Sequence, residues 1–506
     1  MDEDKNAPAT PQPIYETIVE SEPGTSQPTT PPNEVPSQPP IASEPEIVPE
    51  EIGEEATPET FKPPLINLDD AGEGASNKTR FIIIGAALFF FVLIFFGLFL
   101  LVRGLGGAPV KKVSLEYWGL WEDKAIMDPI IKEYERQNKG VTIHYDKKDP
   151  HSYREKLLTR SKEGNGPDIF RFHNTWLPTI KDVLAPLPKT IMSNSEYEST
   201  FYPVTKKDLK VGDTYFGIPL EIDGLVLLYN DDLFKTAGIQ VAPKTWNDIL
   251  NYSAKITVAG PSGIVTSGIA LGTAENINHF SEILGWMMLQ AGAKLSDLSS
   301  SEAVDILSSY ERFAQAPDPR WDENMPNSTT AFIQGKVGMI IVPSWEILPI
   351  KTVAPDLNFK VAPLPVVPGN KQISLADYWV EGVSRYQKPE NQQAAWKFLR
   401  YLSQKDTMVK MYELATKTRI FGEPYSRVDL ASKLAQDKYI GPVIMQANVM
   451  QSLPVMSRTY DNGLNDAIVG YLKNAVNDTV KGVSAQEAFD TAGKGITEVF
   501  NRFDIK

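Results

Sequence analysis

Tryptophans and acidic side chains lie close together at several points of the chain. Trp118 and Trp121 bracket the turn Gly119-Leu120, and Glu122 follows directly. A flat indole beside a carboxylate can contact the C–H face of a sugar ring and accept hydrogen bonds from the hydroxyls at its edge. The two tryptophans can instead cap a hydrophobic core, so both interpretations stay open.

The same combination of residue types recurs further along the chain. Asn174 and Trp176 follow a strand-like stretch, although Trp176 can also pack internally. Trp345 follows an apolar strand-like stretch and is the best candidate for stacking on a ligand. Trp379 and Glu381 are one residue apart in an extended context. Loops after strands are where open α/β sheets place their ligands, so we expect these side chains to line a pocket.

Two acidic residues, Glu221 and Asp223, are separated by one position. In an extended segment they point to the same side, which allows a shared hydrogen-bonding role. A solvated edge or a salt bridge at a hinge is the alternative. A glycosidase needs two carboxyls roughly 5–9.5 Å apart, so the pair also permits a glycan hydrolase or lyase. No second catalytic element accompanies the pair, and we rank binding above catalysis.

The remaining tryptophans are less informative. Trp286 lies in a helical stretch, where a core role and a ligand role compete evenly. Trp246, Trp321 and Trp396 are assigned to packing or to the surface. Gly-x-Ser-x-Gly, His-Glu-x-x-His and Walker A motifs are absent from the sequence, which argues against serine hydrolases, zincins and P-loop enzymes.

Composition excludes several classes of function. The 506 residues include no cysteine and only four histidines, without metal-ligand spacing, so we expect neither a metal nor a cofactor. The net charge of −14 argues against nucleic acid as a partner. Residues 1–80 carry 17 acidic and four basic side chains, so the excess charge belongs to this segment.

The elements that must position these side chains begin after an unusual N-terminal region. Residues 1–80 are rich in Pro and Glu without hydrophobic periodicity, which predicts a disordered tail. Residues 81–102 are uncharged and apolar, and as a helix they would be about 33 Å long, enough to cross a bilayer. We therefore predict a single-pass membrane anchor, a short linker at 103–112, a cytoplasmic tail and an extracellular domain.

Residues 113–506 alternate between strand-like and helical patterns. This alternation is typical of an α/β architecture, and we expect mainly parallel sheets flanked by helices.

Six segments in order give the folded region a family resemblance. They are VSLEYW at 113–118, GPDIF with NTWLP at 166–178, GIPLEIDG running into LYNDDLF at 217–234, PKTWNDIL at 243–250, AFIQGKVGM with Ser344-Trp345 at 331–345, and VAPLP followed by Trp379, Glu381 and AAWKFL at 361–399. Together they resemble the extracellular sugar-binding proteins of ABC importers, the group that includes maltose-binding protein. Tyr460 resembles the last aromatic residue of that family's cleft. The sequence departs from the family in having no lipid-modified cysteine, and the apolar run stands in its place.

The resemblance implies a type II periplasmic-binding-protein fold with a hinge between two lobes. Lobe 1 would comprise 113–222 and 363–430, and lobe 2 would comprise 223–362 and 431–506. It further implies a monomer that captures a carbohydrate by hinge closure and delivers it to an ABC permease. An enzyme on the same fold, a sensor that signals through the anchor, and a peptide or polyamine ligand remain alternatives.

Overall fold

The computed structural model describes residues 77–105 and 112–505. Most of the predicted tail at 1–80 and residues 106–111 of the predicted linker lie outside the described residues. The described residues belong to two units, which divide between Phe99 and Leu100.

A long helix, α1, covers the apolar run near the N-terminus and spans Asn77–Leu105. Its described apolar side chains are exposed, with Phe81 at 75% and Phe95 at 73%. Within the part of the chain that the structure describes, no helix has enough continuous apolar length to cross a membrane. The membrane-spanning role of residues 81–102 therefore stays a prediction.

Helices cover much of the second unit. In chain order they are α2 (Lys124–Gln137), α3 (Tyr153–Lys162), α4 (Leu177–Ile180), α5 (Asn194–Thr200), α6 (Pro203–Asp208), α7 (Asp231–Thr236), α8 (Trp246–Ile256), α9 (Phe280–Ala291), α10 (Ser301–Glu311), α11 (Ser328–Ile333), α12 (Ile347–Val353), α13 (Pro389–Leu402), α14 (Lys405–Ala415), α15 (Ala431–Leu434), α16 (Gly441–Gln446), α17 (Leu464–Val480) and α18 (Ala485–Arg502).

The strands of this unit are short. They are β1 (Val113–Gly119), β2 (Val141–Lys147), β3 (Ile169–His173), β4 (Lys210–Val211), β5 (Thr214–Tyr215), β6 (Ile218–Pro219), β7 (Leu225–Asn230), β8 (Val258–Gly260), β9 (Gly263–Thr266), β10 (Met339–Pro343), β11 (Phe359–Ala362), β12 (Ser374–Leu375), β13 (Trp379–Val383) and β14 (Met450–Gln451).

The larger sheet has the strand order β2-β1-β3-β13-β6. β1 runs parallel to β2 and β3, as the alternation of strand and helix predicts. β13 runs antiparallel to β3 and to β6, because the chain re-enters this sheet after building the other one. Helices α13 and α14, which follow β13, pack on β1 and α2 respectively.

The smaller sheet has the order β10-β7-β11, and both of its pairings are antiparallel. The α/β architecture is confirmed, but the prediction of a mainly parallel sheet is wrong here. β10 and β11 do run in the same direction and are joined through α12, as in a β-α-β unit. The strand β7 lies between them in the opposite direction, since the chain enters this sheet from the larger one. The alternation of strand and helix in the sequence predicts this β-α-β unit, but it does not predict that β7 lies between its two strands.

Buried apolar side chains form one continuous core beneath both sheets. Strand β7 is buried along its whole length, and its first five residues, Leu225 to Tyr229, are all apolar or aromatic. Helix α8 begins with a reciprocal capping box between Thr245 and Asp248, which fixes the direction in which the next side chain, Trp246, projects.

Candidate functional site

An aromatic cluster surrounds Trp379, the half-buried first residue of β13. Its ring makes edge-to-face contacts with His173, Trp176 and Trp121 at centroid distances of 5.1, 5.4 and 5.5 Å. Such contacts contribute about 0.5–1.5 kcal/mol each beyond burial. The ring is therefore held in one orientation, while Trp121 and Trp379 keep part of their surface exposed.

Trp345 comes from the smaller sheet and is also half-buried. It lies in a one-turn helix, Ser344–Glu346, directly after β10. The Asp223 carboxylate accepts the backbone N–H groups of Ser344 at 3.4 Å and of Trp345 at 3.2 Å. The indole Nε1 donates to Asp377 at 3.4 Å. Both the backbone and the ring of Trp345 are thus fixed.

Asp377 connects the two tryptophans. One carboxylate oxygen accepts from Trp345, and the other lies 2.8 Å from Nε2 of His173, the ring that packs against Trp379. The backbone N–H of Asp377 donates to the carbonyl of Asp223 at 2.9 Å. Aromatic side chains that start from two different sheets therefore meet around one acidic residue.

The segment between β6 and β7 holds the backbones of both indole residues. Glu221 accepts the N–H of Trp379 at 3.0 Å, and Asp223 accepts the N–H of Trp345. In the structure both acids accept hydrogen bonds from main-chain donors. Their predicted role toward a ligand stays a prediction. The segment acts as a brace between the two tryptophans.

Burial changes the ionisation of both bracing acids. It raises the pKa of Asp223 to about 8, against the opposing effect of the Ser344 and Gly224 donors. Burial also raises the pKa of Glu221 well above its usual range, and the neighbouring Glu423 adds to the rise. A neutral Glu221 has one oxygen to accept from Trp379 and a hydroxyl to donate to Glu423, which suits its position.

A buried charge network lies next to Glu221. Arg171 pairs with Glu122 at 2.6 Å and with Glu381 at 2.7 Å, and all three side chains are at most 4% exposed. The structure thus uses Glu122 and Glu381, both predicted as ligand contacts, to neutralise a buried guanidinium. The network stiffens β3 and β13 behind the aromatic cluster.

Glu122, Glu221 and Glu423 bring carboxylate oxygens within 4.8 Å of one another, a spacing that a metal ion could use. Two guanidiniums, from Arg171 and Arg419, already line the same cavity and supply positive charge to it. The cavity measures about 20 Å³, which is room for about one water. Its residues fit a structural role better than that of a ligand pocket.

Trp345 has charged neighbours on its other sides. His279 contacts the ring edge-to-face at 5.5 Å, and the Arg458 guanidinium lies 5.6 Å from the ring centroid. Both cations bond to Glu346, with distances of 3.2 Å from His279 and 2.7 Å from Arg458. Burial lowers the pKa of His279, but Glu282 and Glu346 outweigh it and raise the pKa to about 9.

The raised pKa of His279 predicts how the free energy of unfolding changes with pH. Because the folded pKa lies above the ordinary 6.5, stabilisation by the imidazolium is complete below about pH 6.5 and is lost as pH rises through about 9. Chemical denaturation of wild type and His279→Gln across this range should show their difference in unfolding free energy shrinking at high pH. His144→Gln, at an exposed position, is the control and should match wild type throughout. A pH-independent difference would contradict the prediction.

The other predicted site residues lie further from Trp345. Trp118 is 9% exposed and packs under Lys148, whose Nζ lies 4.5 Å from the ring centroid. The ring of Tyr153 contacts both Trp118 and Trp176, at centroid distances of 6.4 and 6.5 Å. Trp118 therefore supports the aromatic cluster from behind.

Asn174, Trp286 and Tyr460 occupy three separate environments. Asn174 is buried and donates to Asp208 at 3.0 Å and to Ser452 at 2.9 Å. Trp286 is fully buried and stacks on Trp246 at 5.3 Å, which matches its core interpretation. Tyr460 has a positive φ of 54° and lies 4.8 Å from the ring of His151. Of the three, Asn174 lies beside the aromatic cluster, because it follows His173 and its backbone N–H donates to the carbonyl of Tyr378 at 3.1 Å.

Sequence reasoning missed part of the site. His173 directly precedes Asn174 at the end of a strand, so its position was a usable signal. Arg171 and Arg458 carried no signal, because neither lies in a motif and their acidic partners are distant in the sequence.

Known proteins resemble this chain in sequence and in fold. The chain is 26% identical over 384 residues to the maltooligosaccharide ABC transporter solute-binding lipoprotein of Streptococcus pneumoniae, covering 71% of this chain and 85% of that protein. The sugar-binding protein MalE of Xanthomonas citri has a TM-score of 0.64 at 20% identity, covering 77% of this chain and 98% of that one.

A cyclo/maltodextrin-binding protein solved with maltotetraose also has a TM-score of 0.64, at 18% identity, with 78% of this chain and 99% of that one covered. At such identities the structural likeness shows a common fold. The family described as bacterial extracellular solute-binding protein matches residues 129–421, more than half of the chain. Because this match covers more than half of the chain, the chain belongs to the bacterial extracellular solute-binding proteins.

Proposed function

We propose that this protein captures a carbohydrate, a mono- or oligosaccharide, by closing two lobes around it for delivery to an ABC importer. One observation carries the proposal. Two half-buried indoles from different sheets, Trp345 and Trp379, meet around Asp377 and are braced by the segment that contains Glu221 and Asp223. Because the two indoles start from different sheets, a rotation of one lobe relative to the other would change the distance between them.

The chemistry of the site favours a carbohydrate. Indoles offer flat apolar faces to the C–H groups of a pyranose, and His173 with Asp377 supplies polar atoms nearby. A peptide or polyamine cation would need free carboxylates. Glu381 already pairs with Arg171, and the pKa values of Glu221 and Asp223 are raised, so few such carboxylates are present.

The relatives support the same ligand class. One is named for maltooligosaccharides, and one solved structure contains maltotetraose. We propose an oligosaccharide in preference to a monosaccharide, since Trp121, Trp345 and Trp379 offer aromatic surface for more than one ring. The family consists of solute-binding proteins, which gives an enzyme on this fold no support.

The lobes we propose are 113–222 with 363–430, and 223–362 with 431–506. The position of the sheets supports the division, because β7, β10 and β11 all lie within 223–362. The packing of α17 and α18 on α10 supports the assignment of the C-terminal segment to the second lobe. Closure would proceed by small rotations in the connecting segments.

We also propose that residues 81–102 anchor the domain in the cell membrane as a single pass, with the domain outside and the tail at 1–80 in the cytoplasm. The uncharged length of this run supports the proposal. Deleting residues 81–102 should move the protein from the membrane pellet to the soluble fraction after cell lysis and centrifugation. Deleting 22 residues of the tail, 20–41, is the length-matched control and should leave it in the pellet. Pellet retention of the first deletion would contradict the anchor.

A thermal-shift screen of the full-length chain tests the binding function. The detergent must not be a glycoside, because a maltoside headgroup would compete with the ligand. Maltose, maltotetraose and other oligosaccharides form the panel, with peptides and polyamines as alternatives. A ligand at 100 times its dissociation constant adds about 2.7 kcal/mol of stability. Stabilisation by a peptide or polyamine, with no response to any saccharide, would overturn the proposal.

A further inference from the structure

A second cavity lies between α8, α9, α10 and the loop that follows α10. Its volume is about 480 Å³, within the range of about 300–1,000 Å³ that is usual for small-molecule sites. It shares no lining residue with the cluster around Trp345 and Trp379. None of the roles described above uses it.

Trp246 forms a rigid wall of this cavity. Its ring stacks on Trp286 at 5.3 Å with an interplanar angle of 25°. Its Nε1 donates to Gln290 at 2.8 Å, and Gln290 in turn donates to the carbonyl of Pro365 at 2.8 Å. The indole is nevertheless only half-buried. A fixed aromatic face that remains partly exposed is suited to stacking, because little side-chain entropy is lost on binding.

The polar side of the cavity carries an uncompensated positive charge. Arg320 is neutralised by Asp318 through two hydrogen bonds of 2.5 Å. Arg312 is exposed, lines the cavity, and has no acidic partner among residues 77–105 and 112–505. In a protein of net charge −14, a lone guanidinium beside an aromatic wall favours an anionic ligand.

We infer that this cavity is a second binding site, for a carbohydrate unit that carries a carboxylate, such as a uronic acid. The pyranose would lie against the indole of Trp246, and its carboxylate would pair with the guanidinium of Arg312. A neutral sugar would use only the aromatic part of the site. The inference goes beyond the proposed capture site and does not depend on it.

Calorimetric titration of the full-length chain with D-glucuronate tests the site, with methyl α-D-glucoside as the neutral probe. We expect glucuronate to bind saturably, and the neutral probe to bind with lower affinity. Arg312→Gln should weaken glucuronate binding at least tenfold and leave the affinity for the neutral probe unchanged. The exposed position of Arg312 keeps this variant folded. Trp246→Leu should weaken both probes, and its unfolding midpoint serves as the folding check.

Two further titrations separate this site from the proposed capture site. Trp345→Ala should bind glucuronate as wild type does, and excess maltotetraose should not displace it. Displacement by maltotetraose, absence of saturable glucuronate binding, or an unchanged affinity in Arg312→Gln would each overturn the inference. If benzoate bound in an Arg312-dependent manner and glucuronate did not bind, the assignment of the ligand as a carbohydrate would be overturned.

Discussion

Replacing Trp345 by alanine should weaken carbohydrate binding by roughly 2–4 kcal/mol, on the order of 30- to 1,000-fold. The indole is half-buried and is held by Asp223 at its backbone and by Asp377 at its ring. Its orientation therefore costs little to maintain in the complex. Calorimetry with the best saccharide from the screen measures the loss.

Two variants control for unspecific effects of the Trp345 substitution. Trp345→Phe keeps an aromatic face and should retain part of the affinity. Tyr386→Ala removes an aromatic ring that is 44% exposed and should bind as wild type does. An affinity within threefold of wild type in Trp345→Ala would remove this residue from the site and withdraw the main support for the proposed function.

Replacing Arg171 by methionine should lower the free energy of unfolding by about 3–5 kcal/mol. Methionine has a similar length, but it leaves Glu122 and Glu381 as like charges that are only 3% and 0% exposed. A buried carboxylate without a cation has to bind a proton or draw in water, and either response costs stability. Chemical denaturation at neutral pH measures the loss.

The Arg171 prediction has a matched control and a rescue. Arg160→Met changes an exposed arginine on α3 and should alter the unfolding free energy by less than about 0.5 kcal/mol. Adding Glu122→Gln and Glu381→Gln to Arg171→Met should recover much of the loss, since the uncompensated charges are then gone. A loss below about 1 kcal/mol in Arg171→Met would show that the network is not needed.

The sequence predicted the positions of helices and strands better than the pairing of the strands within each sheet. The alternation of strands and helices predicted for residues 113–506 is present, as in the succession β1, α2, β2, α3 and β3. The direction of β7 between β10 and β11 was not predictable. Strand direction depends on the path by which the chain enters a sheet, and local periodicity carries no information about that path.

Residue types can be read from the sequence, whereas burial cannot. Trp121, Trp176, Trp345 and Trp379 are predicted as ligand contacts from their residue type. In the structure, Trp121 and Trp176 contact the ring of Trp379, and Trp345 donates to Asp377. Glu381 was chosen for the same kind of reason but lies in a fully buried ion pair. Its partner Arg171 is 210 positions away, a distance at which one sequence gives no sign of contact.

The brace formed by Glu221 and Asp223 has a practical consequence. These two acids belong to one short segment of the chain, and each accepts a hydrogen bond from the backbone N–H of a different tryptophan. Any rotation of that stretch alters the surroundings of two native fluorophores simultaneously. We therefore expect the tryptophan emission spectrum to change when the lobes close as proposed, so that closure can be followed in real time without an attached dye.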